Sequence, residues 1–161
     1  MRRSGFTLIE LLIVIIIIAL LAALLLPAIV GAICAAKETR AANLIAEVEG
    51  ASKIYERDYN AYPPTASDFK SGPCVNTLSQ MGPKKQPYID FVGEDLMAFP
   101  VTNASHLRNP VDITKSIMYR DNTLNPPLSG GPPVHNRYGV DLWAENCNAV
   151  ATGINNWRAS N

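Results

Sequence analysis

The uncharged run from Leu11 to Ala36 is the feature that most limits what this chain can fold into. A helix rises ~1.5 Å per residue, so roughly 20 apolar residues cross the hydrocarbon core of a bilayer. The run is long enough, with a little to spare. Outside it, charged residues are frequent and Pro, Gly, Asn and Ser are common. The sequence therefore predicts a membrane helix joined to a polar head.

The charges that flank this run predict its orientation. Arg2 and Arg3 precede it on a very short segment, and Lys37, Glu38 and Arg40 begin the long segment that follows. Basic residues on the short side indicate a cytoplasmic N-terminus and an exported C-terminal part. A removable secretory signal would have an apolar core about half as long, followed by a small-x-small cleavage site. An ordinary single-pass anchor stays open as an alternative.

Glu10 is a carboxylate at the edge of the apolar run. A charge at the bilayer centre costs roughly 2.5–3.5 kcal/mol on insertion scales, and an ionisable group in a membrane needs a partner. A plain anchor gains nothing from Glu10. Cleavage between Gly5 and Phe6 would create a cationic amine four residues before it. In a bundle of such helices, the carboxylate of one copy can pair with the amine of the next, which predicts a role in assembly register.

The segment Arg-Arg-Ser-Gly followed by Phe-Thr-Leu-Ile-Glu resembles the leader and methylated N-terminus of type IV pilins and type II secretion pseudopilins. The resemblance implies a leader over residues 1–5, cleavage after Gly5 by a prepilin peptidase, and N-methylation of Phe6. It implies a transmembrane and assembly helix over 6–36, with Phe6 and Glu10 as assembly residues. A periplasmic head over 37–161 would follow.

Pro27 stands where such subunits usually carry a helix-weakening proline. Pro27 also lacks a backbone N–H, and Gly31 follows one turn later, so residues 23–31 are the softest stretch of the helix. The functional interpretation is a segment that unwinds when the subunit enters a fibre. A tolerated kink, common in membrane helices, is the alternative.

The head begins with an amphipathic helix that the spacing of its apolar residues extends to about Tyr59. Eleven of the twelve prolines lie between residues 60 and 135, which predicts short elements and long loops. A short helix is predicted over Thr65–Phe69, and strands over Ile113–Arg120 and Arg137–Trp143. The predicted fold class is α+β, a pilin fold in which the long helix packs on a small antiparallel sheet.

The C-terminal stretch resembles the end of the major (G-type) pseudopilin, through Asp141-Leu142-Trp143 and through Ile154 to Trp157. The loop between these segments binds calcium in that family. Here it offers Glu145, Asn146 and Asn148 as oxygen ligands, fewer carboxylates than calcium prefers. The alternative is a loop held by a disulfide and by packing of Trp157. Residues 71–135 match nothing in that family.

Three cysteines and two histidines remain to be placed. Cys34 lies in the apolar run and is interpreted as a small hydrophobe. Cys74 and Cys147 would both lie in an oxidising compartment, so we predict a disulfide between them. His106 and His135 are isolated in the sequence and are predicted on the surface. With no catalytic motif and no clustered basic face, neither an enzyme nor a nucleic-acid-binding protein is expected.

The resemblance implies a structural subunit whose partners are further copies of itself in a helical fibre and the minor pseudopilins. It also implies interaction with the prepilin peptidase and with an inner-membrane assembly platform driven by its ATPase. The chain would first span the bacterial inner membrane once and later join a periplasmic fibre of a type II secretion system. A type IV pilin for adhesion, motility or DNA uptake is the alternative, and a membrane-anchored binding module is a second one.

Overall fold

The computed structural model describes residues 6–80, 82–98, 105–124 and 130–157. The chain divides into two compact units, Met1–Ala36 and Lys37–Asn161. A single helix, α1, runs over Leu8–Tyr59 and contributes to both. In the first unit, the large apolar side chains of α1 are exposed. This helix is long and apolar enough to cross a membrane.

In the second unit, α1 buries one face, made of Ala41, Leu44, Ile45, Val48, Ala51 and Ser52. The spacing of these residues is that of one side of an α-helix. Asn60 then ends the helix with a left-handed backbone conformation, φ 56°, and its N–H donates to the carbonyl of Glu56 at 2.7 Å. Asn tolerates this conformation better than most residues. The predicted helix end near Tyr59 is confirmed.

The remaining elements of the head are short. They are helix α2 (Gly72–Leu78), a 3₁₀ turn (Gly93–Asp95), and the strands β1 (Leu96–Ala98), β2 (Ser105–Leu107), β3 (Met118–Asp121), β4 (Val140–Ala144) and β5 (Ile154–Asn155). Strands β1 and β2 pair antiparallel, and β3, β4 and β5 form a second antiparallel sheet in that order. The two sheets are linked by a backbone hydrogen bond: the N–H of Ile117, just before β3, donates to the carbonyl of Leu107, the last residue of β2.

The core lies where α1 meets the sheets and α2. Tyr119, Leu142 and Leu107 are each fully buried there, as is Val48 of α1. Tyr119 also donates its phenolic hydrogen to the carbonyl of Pro63 at 2.9 Å, so its one polar group is satisfied. The structure thus has the α+β arrangement expected from the sequence, a long N-terminal helix with small antiparallel sheets.

All three short predicted elements differ in position from the elements of the structure. Thr65–Phe69 is not helical; the second helix begins after Ser71, where Pro73 occupies its first turn. The predicted strand over Ile113–Arg120 becomes regular only at Met118. Asp112 holds the preceding residues in a turn, because its carboxylate accepts both the N–H and the hydroxyl of Thr114.

The strand predicted over Arg137–Trp143 starts three residues late, at Val140. Residues 136–139 form a tight turn in which the N–H of Gly139 donates to the carbonyl of Asn136 at 3.0 Å. Tyr138, which the alternation of a strand would place on one face with Val140 and Leu142, is 85% exposed at this turn. Val140 and Leu142 do face the core.

Candidate processing and assembly site

The start of α1 is closed by a capping box formed by Thr7 and Glu10. Glu10 accepts the backbone N–H of Thr7 at 2.8 Å and the hydroxyl of Thr7 at 2.7 Å, both on Oε2. In return, the N–H of Glu10 points at Thr7 Oγ1 at 3.4 Å. This reciprocal arrangement satisfies backbone donors that a helix start leaves free. Glu10 therefore has a local structural role, and the statement that a plain anchor gains nothing from it is wrong.

The capping box also fixes where the helix begins, so that Phe6 lies outside it. Phe6 is 75% exposed and directly precedes the N-cap residue Thr7. Phe6 therefore lies outside α1, which begins at Leu8. Gly5, with the other residues of the expected leader, lies outside the described residues. Phe6 and Glu10 were identified from the sequence, whereas Thr7 was missed, although Thr-x-x-Glu is a recognisable capping signal.

Pro27 lies inside α1, which stays an α-helix on both sides of it. A Cβ added to Gly31 would have space, since no atom beyond the neighbouring helix backbone lies within 4 Å of it. A proline in a helix interior leaves one backbone carbonyl without its donor, and glycine adds backbone freedom nearby. Unwinding of residues 23–31 during assembly therefore stays a prediction.

In the head, the face of the β3–β4 sheet that points away from α1 carries a buried ion pair. Arg120 donates to Asp141 Oδ2 at 2.7 Å, and the two side chains are 4% and 0% exposed. The same guanidinium donates to the carbonyls of Pro132 and Pro133 at 2.8 and 3.0 Å. Burial alone would raise the pKa of Asp141, but the hydrogen bond from Arg120 and those from backbone N–H groups lower it.

Aromatic rings enclose this ion pair. The guanidinium carbon of Arg120 lies 5.8 Å from the ring centre of Phe69 and 5.6 Å from that of Trp143. Trp157 lies 6.3 Å from Trp143 and stacks on His135 at 4.2 Å. Asp141, Trp143 and Trp157, taken from the resemblance to the C-terminal stretch, thus come together, and the expected packing of Trp157 is found. Arg120, which holds them together, was missed because its partners are distant in sequence.

Strand β5 pairs only with the last two residues of β4, Trp143 and Ala144. Asn156 hydrogen-bonds to the part of β4 that β5 does not reach. Its Oδ1 accepts the N–H of Leu142 and its Nδ2 donates to the carbonyl of Val140, both at 2.9 Å. Its own N–H donates to the carbonyl of Leu142 at 3.2 Å. The side-chain amide thereby takes the place of a peptide group of a neighbouring strand. An open sheet edge invites pairing with other chains, so Asn156 protects this one.

The three residues considered as calcium ligands do not form a fitting donor set. Both oxygens of Glu145 contact Lys115 Nζ, at 2.6 and 2.7 Å. The amide oxygen of Asn146 accepts the N–H groups of Asn148 and Val150, both at 3.0 Å. Calcium needs six to eight oxygens that are free to converge on it. It would have to displace Lys115, so calcium binding stays a prediction that this geometry does not favour.

The predicted disulfide between Cys74 and Cys147 is wrong. Cys74 is a free thiol on α2 and is fully buried in the core, next to Ser52 of α1. Burial raises the pKa of this thiol, which keeps it protonated. Cys147 lies in an exposed loop and is disulfide-bonded, and Cys34 is disulfide-bonded as well. The interpretation of Cys34 as a plain hydrophobe failed because apolar neighbours do not exclude a disulfide near the end of the run.

The histidine predictions are half right. His135 is exposed at the Trp157 ring, whereas His106 of β2 is buried. His106 lies under α2, since a Cβ added to Gly72 would stand 2.6 Å from its ring. Burial lowers the pKa of His106, and the charge of Lys70 lowers it further. His106 is therefore neutral near pH 7 and belongs to the packing of the head.

Comparison with known proteins gives one match. Residues 1–26 match the family model described as the prokaryotic N-terminal methylation motif. No curated protein and no solved structure matches the chain. The matched range contains residues 1–5, the capping box and the apolar run as far as residue 26, and the head lies outside it.

Proposed function

We infer from the methylation motif at residues 1–26, and from the long apolar helix that follows, that this is a type IV pilin-like protein, a subunit processed at its N-terminus. We propose further that it is a structural subunit of a type II secretion pseudopilus, a helical fibre that drives export of folded proteins. In this proposal the precursor is anchored in the inner membrane, trimmed after Gly5 by the prepilin peptidase, and then assembled.

The observation that carries the proposal is the register between the motif and the helix. Cleavage after Gly5 would leave Phe6 as the first residue and Thr7 as the N-cap of α1. The motif would thus place the new chain end at Phe6, the residue before the cap. The new amine would then stand at the helix entrance, beside the capping box.

The geometry of Glu10 supports a role in pairing between subunits. Its Oε2 receives both bonds from Thr7, while Oε1 receives none from the described residues. The carboxylate is therefore held in one orientation with an oxygen free to accept the Phe6 amine of another copy. In a bilayer, such a pair would remove two costly charges at once. The apolar side chains of the helix would pass from lipid directly to the fibre core. Exposing them to water on the way would cost ~0.8 kcal/mol per CH₂ group.

A disulfide-bonded cysteine in the head supports the proposal that the head is exported from the cytoplasm. Cys147 is disulfide-bonded, and disulfides persist in oxidising compartments such as the periplasm. The basic pair Arg2 and Arg3 on the short side favours the same orientation. The secretion system is preferred over a pilus because Asp141 and Trp157, which match the resemblance to the G-type pseudopilin, lie in one cluster with Arg120 and Trp143.

Processing is tested by co-expressing the chain with a prepilin peptidase and measuring its intact mass and N-terminal sequence. The expected product begins at N-methylated Phe6. Gly5→Val is expected to keep the leader, and Ser4→Ala serves as a matched control that is still cut. A wild-type chain that keeps Arg2 and Arg3, or is cut beyond the apolar run, would refute the proposal.

Assembly is tested with Glu10→Gln. Glutamine also completes a capping box, so the helix start is preserved while the charge is removed. We expect normal cleavage of this variant and loss of its incorporation into fibres by cross-linking. Incorporation at the wild-type level would show that the charge of Glu10 is dispensable.

The choice of machine is tested by deleting the gene in its host. Loss of exoprotein secretion with intact surface motility and DNA uptake is the expected result. Loss of motility or DNA uptake with intact secretion would assign the chain to a type IV pilus instead. No effect on either, together with an uncut leader, would leave a membrane-anchored binding module.

A further inference from the structure

The head has a basic cleft where the chain leaves the apolar run. Lys37 is the first residue after that run, and it lines a cleft of about 240 Å³ together with Arg40 and Arg108. All of the lining residues belong to the unit Lys37–Asn161, so the cleft is built within the head. If the run spans the bilayer, Lys37 lies at the membrane surface, and the cleft opens beside it.

The charges in the cleft do not balance. Arg40 donates to Asp95 at 2.8 Å and to Glu94 at 3.3 Å, so one cation serves both carboxylates. Among the described residues, neither Lys37 nor Arg108 has a carboxylate within ion-pair distance. Three cations and two carboxylates leave the lining with one net positive charge. The cleft therefore attracts an anion.

Arg108 is the residue best placed to bind that anion. It directly follows β2, and its N–H donates to the carbonyl of Asp95 at 2.7 Å, which fixes its backbone. Its Nε is buried, and no described group accepts its hydrogen. Since Nε is shielded from solvent, an anion in the cleft would bind the terminal amino groups of the guanidinium. A guanidinium also matches the geometry of a phosphate better than an ammonium does.

The rim of the cleft adds an apolar contact. Ile113 lines the cleft and is 64% exposed. An exposed apolar side chain beside cations is the combination found on surfaces that lie at the boundary between headgroups and acyl chains. A small soluble anion would make no use of Ile113, which favours a lipid.

We propose that the cleft between Lys37 and Arg108 binds the phosphate of an anionic phospholipid, such as phosphatidylglycerol, at the membrane surface. The inference rests on the membrane-anchored state of the proposed function. Docking of the head on lipid would hold the subunit in the bilayer before assembly, and the contact would be released when the subunit enters a fibre. Neither cleavage of the leader nor pairing through Glu10 depends on it.

The test is native mass spectrometry of the full chain in detergent micelles, titrated with phosphatidylglycerol or with phosphatidylcholine of the same acyl chains. Both lipids can contact the apolar helix, so only a difference between them reports on the headgroup. Each basic residue near an anionic surface contributes about fivefold in affinity. Wild type is expected to prefer phosphatidylglycerol by about that factor or more, and Arg108→Gln to lose about fivefold.

Two further variants keep the test independent of folding. Glu94→Gln removes a carboxylate that is 77% exposed in the cleft, so it is expected to raise phosphatidylglycerol binding by a few fold. Misfolding cannot produce that gain. Arg137→Gln removes an exposed arginine that does not line the cleft and is expected to leave the preference unchanged.

Several results would overturn the proposal. Wild type without a preference for phosphatidylglycerol, or Arg108→Gln with the full preference, would each do so. Displacement of the lipid by millimolar inorganic phosphate would assign the cleft to free phosphate instead. Since the precursor also contains the cleft, its lipid preference is measured separately from cleavage, and failure here would leave the processing result intact.

Discussion

Replacing Arg120 by methionine tests whether the buried ion pair organises the outer face of the sheet. The change removes the 2.7 Å contact with Asp141 and leaves a carboxylate that is 0% exposed. It also removes the donor to the carbonyls of Pro132 and Pro133. Two backbone N–H groups, from residues 135 and 136, still bind the carboxylate but do not neutralise it.

The expected loss follows from these contacts. Removing one partner of a buried ion pair costs roughly 3–5 kcal/mol, because the other charge stays buried. Methionine fills most of the space between the rings of Phe69 and Trp143, so the cavity contribution is small. For a domain of this size, ~1 kcal/mol corresponds to a Tm shift of roughly 3–6 °C. We expect Arg120→Met to lower the Tm of the head by about 10–30 °C.

Thermal unfolding followed by tryptophan fluorescence is the appropriate assay. The chain has two tryptophans, Trp143 and Trp157, and both belong to the cluster around Arg120. Arg137→Met is the matched control, since this exposed arginine should change stability by less than ~0.5 kcal/mol. A free energy of unfolding for Arg120→Met within ~1 kcal/mol of wild type would refute the reasoning.

The pH dependence gives a second measurement on the same variant. In wild type the pKa of Asp141 is lowered, so its contribution to stability is present above the unfolded value of ~3.9 and is lost as pH falls through the folded value. Without Arg120, burial favours the protonated carboxyl and raises that pKa. The acid unfolding midpoint of Arg120→Met is therefore expected at a higher pH than that of wild type.

Thr7→Ala removes one half of the capping box and should lower helix stability at the N-terminus by ~1 kcal/mol, seen as faster amide exchange there with cleavage retained. Asn156→Ala opens the edge of β4 and should cost roughly 1–3 kcal/mol in urea unfolding and promote aggregation; unchanged stability would contradict the edge-closing role. Cys74 should react with maleimide only after unfolding, and labelling of the native chain would contradict its burial. The pKa of His106 is lowered by burial, so the unfolded chain binds its proton more tightly, and stability should fall as pH drops below ~6.5; His106→Gln should reduce that slope.

The sequence predicts the long helix and its end well because both follow from local chemistry. The uncharged run needs only length and composition, and Asn60 ends the helix through its own backbone preference. The short elements of the head were predicted less well. Residues 113–117 have an acceptable alternation for a strand, but the side chain of Asp112 competes for the backbone and forms a turn.

The candidate site at the N-terminus could be proposed from the sequence for the same local reason. Gly5, Phe6 and Glu10 are fixed in spacing, and the motif is contiguous. The capping role of Glu10 was readable in the sequence as well, through Thr7, but was not recognised. By contrast, the basic cleft joins Lys37 to Arg108 across a long stretch of chain, and no pattern in the sequence brings them together.

The sequence by itself determined the long apolar helix, the N-terminal methylation motif and the α+β class, since each depends on neighbours along the chain or on periodicity. The tertiary structure decided which cysteine is buried and free, which carboxylate Arg120 pairs with, and how Asn156 closes the sheet edge. Those outcomes depend on which distant segments share a core and which are left at the surface. A cysteine count or a charge pattern contains no distance between residues far apart in sequence, so only the folded chain settles them.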